Sequence, residues 1–278
     1  MSNNLSLNIA FNNGTFTELS NLNVHVDSLT VNRAYAAYEF LRINKTNPFY
    51  LERHLNRFFK TLEIMRLSVS FQRNDIEQII NEIITKNNCP DFYIKLFAIP
   101  ESSNKLVNNS ALFITPFVFA DYPEEMYQNG ANLIMKEYSR FLPEAKTTNY
   151  VASSYWQYEM DERNAIDTLY YADNEIFETS RGNIFVIKDN KIYTPDKHIL
   201  KGITRSIVID LSKDENEVVQ QPISIYKLLT ADEVFVTSTT KKIMPVVKIN
   251  NSTIGNGKVG ELSKRFLALY NQKLNPRA

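Results

Sequence analysis

The pattern of apolar residues along this 278-residue chain predicts an α+β fold, with mixed sheets and flanking helices. Three observations carry that expectation. Short apolar or alternating runs of strand length occur in both halves. Stretches of helical period interrupt them. The two kinds follow one another without strict alternation, which favours α+β, or a mixed α/β arrangement, over a doubly wound parallel sheet. At about 150 residues per domain the length suits two domains or one large one. It is enough to bury a core without disulfide or metal staples.

The elements follow in order. Leu5 to Phe11 alternates, and Asn12-Asn13-Gly14 is a hairpin-type turn. Val31 to Ile43 is aromatic-rich and reads as extended, at least from Tyr38 onward. Leu51, Leu55, Phe58, Phe59, Leu62 and Met65 share one helical face, predicting a helix over 51–67. Ile76 to Ile84 reads as a second helix, and Phe92–Ile99 and Leu112–Phe119 as buried strands. Ala120 to Glu125 sets a proline and a charge cluster after a strand, so a domain boundary is expected there. It gives an N-terminal α/β domain over 1–120 and a C-terminal domain over 121–278. Ala131–Glu137 is strand-like, and Thr148–Arg163 reads as one helix capped by Thr147 or Thr148. Strands follow at Thr168–Ala172, Glu175–Phe177, Asn183–Lys188 and Lys191–Tyr193, with Asp-Asn turns at 173–174 and 189–190. A helix is expected over Ile203–Leu211 and a strand over Glu233–Thr237. Val246–Ile249 and Thr253–Ile254 flank an Asn250-Asn251 turn, and Val259–Tyr270 is the last helix.

Composition narrows the function. Lys+Arg and Asp+Glu are both 31, so zero net charge argues against a nucleic-acid or anionic-membrane surface. Cys89 is the single cysteine, which rules out an internal disulfide and fits a reducing compartment. With only His25, His54 and His198 beside it, a Cys/His zinc site is not expected. No apolar run reaches the ~18 residues of a membrane helix. Met1-Ser2-Asn3-Asn4 shows no secretory signal, so the expectation is cytoplasmic. Gly255 to Gly260 matches G-x-G-x-x-G, but only one helix and a tail follow. A dinucleotide site needs a further strand and an acidic residue about 20 positions on. The stretch is read as a turn feeding the terminal helix.

Four segments carry chemistry. In Tyr50 to Phe59, His54 and Arg57 with Thr61 lie off the apolar face, and the seam reads as polar rather than core. In Pro143 to Tyr150, Lys146 precedes a predicted helix start, whose positive end favours a neutral, nucleophilic amine. In Glu175 to Phe185, Glu178 ends a strand ahead of a small polar loop. The fourth segment offers two phosphate cradles. At Leu200 to Arg205, Gly202 opens a helix and leaves the Ile203 and Thr204 N–H groups free. Thr237 to Thr240 adds hydroxyls and backbone donors after a strand. Each segment alone also has a bland reading: a solvated basic face, a surface lysine, a plain β connection.

In order and spacing these segments resemble the class IV pyridoxal-phosphate aminotransferases, the fold-type IV group. That group contains branched-chain and D-amino-acid aminotransferases and aminodeoxychorismate lyase. The resemblance runs from about Asn32 to Tyr270, and Ile199–Arg205 and Asp232–Thr240 look most like the D-amino-acid branch. It implies a two-domain fold-type IV enzyme that binds pyridoxal 5'-phosphate between its domains. It also implies a homodimer in which each N-terminal domain closes the partner's pocket. Lys146 aligns with the lysine that forms the Schiff base, Glu178 with the carboxylate at the pyridine nitrogen and Arg57 with the phosphate-binding arginine. Ile203 and Thr204 match the helix-start donors, Ser238 and Thr239 the second phosphate clamp, and Leu200 the leucine packed on the ring. Tyr150 matches a tyrosine that bonds the phenolic oxygen in some members.

The chain departs from the family where many members carry aromatic-Gly-Asp-Gly-x-Phe-Glu. Here the stretch is Arg33-Ala34-Tyr35-Ala36-Ala37-Tyr38-Glu39. The D-branch arginine is replaced by Ala98, and the branched-chain Tyr-Ile-Arg by Tyr93-Ile94-Lys95. A substrate carboxylate therefore needs another cation. Lys95 is one candidate, if it does not simply snorkel, and Arg33 and Arg181 are its rivals. The resemblance implies amino-group transfer between an amino acid and a 2-oxo acid. Pyruvate elimination, as in aminodeoxychorismate lyase, is the alternative, and a non-catalytic cofactor-binding scaffold is the third reading.

Overall fold

The structure is a computed structural model and describes residues 7–100, 109–213 and 217–276. The chain divides into two units. The first holds Met1–Ala120 and Ala145–Tyr150, and the second holds Asp121–Glu144 and Val151–Ala278. The expected strand over Leu5–Phe11 begins partly outside the described residues; the described strand is β1 (Ile9–Asn12).

In the first unit β1 turns through Asn13 and Gly14, both at positive φ, into β2 (Thr15–Glu18). Only Gly14, at φ 118°, adopts a conformation closed to side chains. A short helix, α1 (Leu29–Arg33), then stands where the aromatic pattern suggested extension. Ser28 causes it, because its side chain accepts a hydrogen bond from the Val31 N–H and caps the turn. β3 (Ala37–Asn44), β4 (Asn47–Pro48), α2 (Leu51–Met65), α3 (Arg73–Asn87), β5 (Phe92–Pro100) and β6 (Ser110–Phe117) complete the unit. Its six strands pair in the order β2-β1-β6-β5-β3-β4.

Register sets the two faces of that antiparallel sheet. Phe40 lies opposite Lys95 and Lys95 opposite Thr115, so Tyr38, Phe40, Arg42, Tyr93, Lys95, Phe97 and Phe117 share one face. Glu39, Leu41, Ile94, Leu96, Ala98 and Ile114 share the other and are fully buried. Ala98 is thus on the opposite face from Lys95. α2 packs on β3, and its Leu55, Phe58 and Leu62 are buried. The expected polar, non-core seam of α2 is corrected here: His54 and Thr61 are buried as deeply as the apolar stripe. Glu39 is the reason, since a carboxylate on the covered face of β3 draws the polar side of the helix inward.

The second unit is built on a ten-stranded mixed sheet. Its strands are β7 (Ala131–Glu137), β8 (Ala165–Ala172), β9 (Glu175–Thr179), β10 (Asn183–Lys188), β11 (Lys191–Thr194), β12 (Val218–Gln220), β13 (Ile223–Ser224), β14 (Glu233–Ser238), β15 (Lys242–Ile249) and β16 (Ser252–Thr253). The order is β12-β11-β10-β14-β15-β7-β8-β9-β13, with β16 on β15. β7 runs parallel to β8 and β15, and β11 parallel to β12. Leu133, Leu169, Ile184, Val186, Val236 and Met244 lie in one core cluster. Around it run α4 (Glu124–Asn129), α5 (Val151–Tyr155), α6 (Gln157–Glu162), α7 (Ile203–Ser212), α8 (Ile225–Leu229) and α9 (Glu261–Leu274).

Two further expectations are settled here. The single helix over Thr148–Arg163 is replaced by α5 and α6, and neither Thr147 nor Thr148 caps it. The Thr148 N–H donates to the Ala36 carbonyl and its hydroxyl to that of Ala34, while Thr147 bridges Ala37. Residues 146–148 are therefore an extended strip beside the start of β3. The glycine-rich stretch at 255–260 is a turn, as read: the start of α9 is taken by Glu233, which accepts from the Leu262 and Ser263 N–H groups.

Candidate active site

In the first unit Lys146 is held by its backbone. Its N–H donates to Thr61 Oγ1 at 3.1 Å, and its carbonyl accepts from the Tyr38 N–H at 2.9 Å. The side chain is half-buried. Nζ lies 4.8 Å from the Tyr38 ring centroid and donates to the Tyr150 hydroxyl at 3.4 Å. The Tyr38 and Tyr150 rings meet edge-on at 6.4 Å. The expected helix start at Lys146 is absent, so these two tyrosines, and not a helix dipole, form the amine's surroundings. Burial, then the Tyr150 and Glu39 charges, push the Tyr38 phenol far above its ordinary value, so Tyr38 stays a neutral hydroxyl.

Arg57 does not face solvent. Its Nε donates to Glu39 Oε2 at 2.9 Å and its terminal nitrogen to Oε1 at 2.7 Å, a two-point fork. His54 Nδ1 lies 3.0 Å from the same Oε1. Burial alone would raise the Glu39 carboxyl, but Arg57 and the His54 hydrogen bond pull it far below the usual carboxylate range. His54 is shifted down, because burial outweighs the pull of Glu39. The two directions agree on one state: ionised Glu39 accepting Nδ1–H from a neutral imidazole. The effect is to fix the guanidinium's orientation.

Lys95 stands on the aromatic face that Tyr38 shares. Its Nζ sits 3.3 Å from the Phe117 ring centroid, and burial lowers its pKa. Tyr38 stacks on Phe97 at 5.2 Å, and Phe40 on Tyr93 at 5.0 Å. Arg33 is exposed on α1, and its guanidinium returns to the Asn32 carbonyl.

The second unit supplies a carboxylate and an anion cradle. Glu178, at 4 % exposure, ends near the last residue of β9. Oε1 accepts from Arg140 Nε at 3.0 Å, and Oε2 from the Leu200 N–H at 2.8 Å. Arg140 reaches on to the Ser180 carbonyl. Leu200 is held at its other end by Asn183, whose amide donates to the Leu200 carbonyl at 2.8 Å and accepts from the Gly202 N–H at 3.1 Å. A Cβ on Gly202 would stand 2.1 Å from Asn183 Oδ1, so only glycine allows this approach. α7 begins immediately after it with no side-chain cap, at Ile203 and Thr204. Ser238 ends β14 and Thr239 and Thr240 lie in the turn after it, across which Ser238 Oγ accepts from the Lys241 N–H at 3.0 Å. Arg181 is exposed.

This donor set fits pyridoxal 5'-phosphate. In the second unit a glycine-opened helix start and a Ser/Thr turn suit a phosphate dianion, and a fixed buried carboxylate suits a protonated pyridine nitrogen; taken by itself, the half-buried lysine of the first unit is an amine of the kind that suits an aldehyde. Among the described residues no cluster of His, Cys, Asp and Glu could hold a metal ion. No helix of the described residues is long and apolar enough to cross a membrane.

Sequence reasoning passed over Glu39 as a structural centre, and it passed over Arg140, Asp167 and Lys241. The signals for Glu39 and Asp167 were present. Each is an acid at an inward position of an otherwise apolar strand, where burial requires a cation. Arg140 and Lys241 sit in irregular segments and give no periodic signal.

The family model described as Amino-transferase class IV matches residues 36–249. A D-alanine aminotransferase of Bacillus licheniformis is 29% identical over 276 residues, covering 96% of this chain and 97% of its own. A branched-chain amino acid aminotransferase from T.th., solved with pyridoxamine 5'-phosphate, superposes with a TM-score of 0.89 at 27% identity, over 98% of this chain and 95% of that one. The same enzyme solved with N-(5'-phosphopyridoxyl)-L-glutamate gives 0.88 at 26%, with the same coverage.

Proposed function

The chain belongs to the class IV aminotransferases, pyridoxal-phosphate enzymes that move amino groups, and from that premise we propose a role for each side chain described above. The bound cofactor supplies an electron-poor ring that drains charge from the substrate's α-carbon. Lys146 is the attachment point for the cofactor. Its Nζ would hold the cofactor's aldehyde and, when free, would take the proton from the substrate's α-carbon and pass it on to the cofactor. Tyr150, in reach of that Nζ, orients it and donates to the phenolic oxygen. Glu178, held by Arg140 and the Leu200 N–H, keeps the ring nitrogen protonated. Arg57, the Ile203 and Thr204 N–H groups, Ser238 and Thr239 hold the phosphate, and Leu200 packs on the ring.

The observation that carries this reading is the join at Leu200. One peptide unit fixes the buried carboxylate, and two residues later the same strand of chain opens an uncapped helix. A ring-nitrogen partner and a phosphate cradle at that spacing serve the two ends of one cofactor. Lys95 is the anchor for the substrate's carboxylate, supported by its place on the face that Tyr38 shares and by the exposure of Arg33 and Arg181. The substrates are an amino acid and a 2-oxo acid. The protein acts as a cytoplasmic homodimer: Cys89 is unpaired, as in a reducing compartment, and Phe141, Val151, Tyr155 and Tyr158 are large exposed apolar side chains that a second copy would cover.

The test is an amino-donor panel with 2-oxoglutarate and pyruvate as acceptors, run beside pyruvate release without an acceptor. Turnover that requires the acceptor supports the proposal. Acceptor-independent pyruvate release would transfer the assignment to the lyase.

A further inference from the structure

Lys241 and Lys242 are neighbours with opposite fates. Lys242 reaches Asp121 at 3.3 Å beside solvent. Lys241 turns inward beneath the β14–β15 turn and meets Asp167 of β8, Nζ to Oδ2, at 2.7 Å. The two side chains are 1% and 0% exposed. A buried ion pair contributes little net stability over apolar residues of the same size. Its presence therefore needs a reason of position.

The contacts of Lys241 supply one. Its N–H donates to Ser238 Oγ at 3.0 Å, and its carbonyl accepts from the Tyr127 hydroxyl at 3.3 Å. The turn is thus pinned at Nζ, N and O of one residue. Ser238 Oγ uses a lone pair on the Lys241 N–H, which directs its own proton away, toward Thr240 Oγ1 at 3.4 Å or toward an anion. Asp167 is anchored in turn. Its Oδ1 accepts from the Thr168 N–H at 2.8 Å and from the Ser180 hydroxyl, which itself accepts from Ser153 at 3.0 Å.

We propose that the Asp167–Lys241 pair is a positioning element that sets the Ser238–Thr240 turn for the cofactor's phosphate. The inference rests on the assignment of Ser238 and Thr239 to phosphate binding. Neither member of the pair touches the cofactor; both act through the turn.

The experiment compares pyridoxal phosphate with pyridoxal, which lacks the phosphate. Both are titrated into the full-length protein freed of cofactor, as wild type, Asp167→Asn, and the double variant Asp167→Leu/Lys241→Met, which removes both charges together. The expected result is a fall of at least tenfold in the preference for the phosphorylated form, with pyridoxal affinity within twofold of wild type. An unchanged preference in a folded variant overturns the proposal. So does an equal loss for both ligands, or failure of both variants to fold, since either would assign the pair to the core at large. Ser238→Ala is the control. If it leaves the preference intact, the phosphate assignment itself fails. If it lowers the preference while the pair variants do not, only the positioning role fails.

Discussion

Arg57 grips Glu39 through two nitrogens, Nε to Oε2 at 2.9 Å and the terminal nitrogen to Oε1 at 2.7 Å, with Glu39 fully buried. A guanidinium held this way cannot swing with its flexible stem, so its remaining donors point in fixed directions. The arginine proposed to bind the phosphate is thereby given an orientation by a carboxylate on the neighbouring strand.

Glu39→Gln keeps the shape and removes the charge. It leaves Arg57 without its buried counter-ion, a change that costs about 3–5 kcal/mol. Urea unfolding of the cofactor-free protein measures it. A loss below about 1 kcal/mol would show that Arg57 finds another acceptor and that Glu39 does not set its orientation.

The Asp167 carboxyl would be pushed up by burial, but the Lys241 charge, then Arg181 and the hydrogen bonds, bring it down to about 2. The folded value lies below the unfolded value of about 3.8, so the pair's stabilisation is complete above the unfolded value. It is lost as pH falls from there through about 2. The linked loss is on the order of 2 kcal/mol. Unfolding midpoints at pH 7 and pH 3 should fall further apart in the wild type than in Asp167→Leu/Lys241→Met. Equal spacing in the two proteins would mean that Asp167 titrates normally.

Glu178→Gln removes a charge-assisted bond worth about 1.5–3 kcal/mol and lets the ring nitrogen lose its proton. The expected outcome is a fall in kcat of at least tenfold with cofactor retained. Arg140→Met should give a smaller fall of the same kind, because Arg140 holds Oε1 in place. Normal kcat in Glu178→Gln would place this carboxylate away from the ring.

Lys95→Met should raise KM for the amino donor at least tenfold and leave the cofactor spectrum unchanged. Arg33→Ala and Arg181→Ala should stay near wild type, since both side chains are exposed. A KM increase in either arginine variant, with Lys95→Met normal, would move the anchor.

The sequence carried most of the strands and long helices because their periods are local. The stripe from Leu51 to Met65 and the run from Asn183 to Lys188 each declare their own geometry. The misreadings arose where a hydrogen-bond partner outside the periodic stretch decides. Ser28, three residues upstream of Val31, turned expected strand into helix. The Ala34 and Ala36 carbonyls accept from Thr148 and tie it to another segment, away from a helix start. The seam of His54, Arg57 and Thr61 looked solvated because Glu39, its partner, lies on another element. In the site, Lys146, Glu178 and Gly202 were legible as residue types in order. Arg140 and Lys241 were not, because they lie in irregular segments that leave no spacing to read, while the inward acid Asp167 of β8 carried a signal that was passed over.

The central claim is that Lys146 bears the cofactor. Borohydride reduction of the purified holoenzyme, followed by tryptic digestion and mass spectrometry, reads it directly. A phosphopyridoxyl mass on the peptide containing Lys146, with loss of turnover in Lys146→Ala, is the expected result. A reduced adduct on any other lysine, Lys95 or Lys241 included, would contradict it.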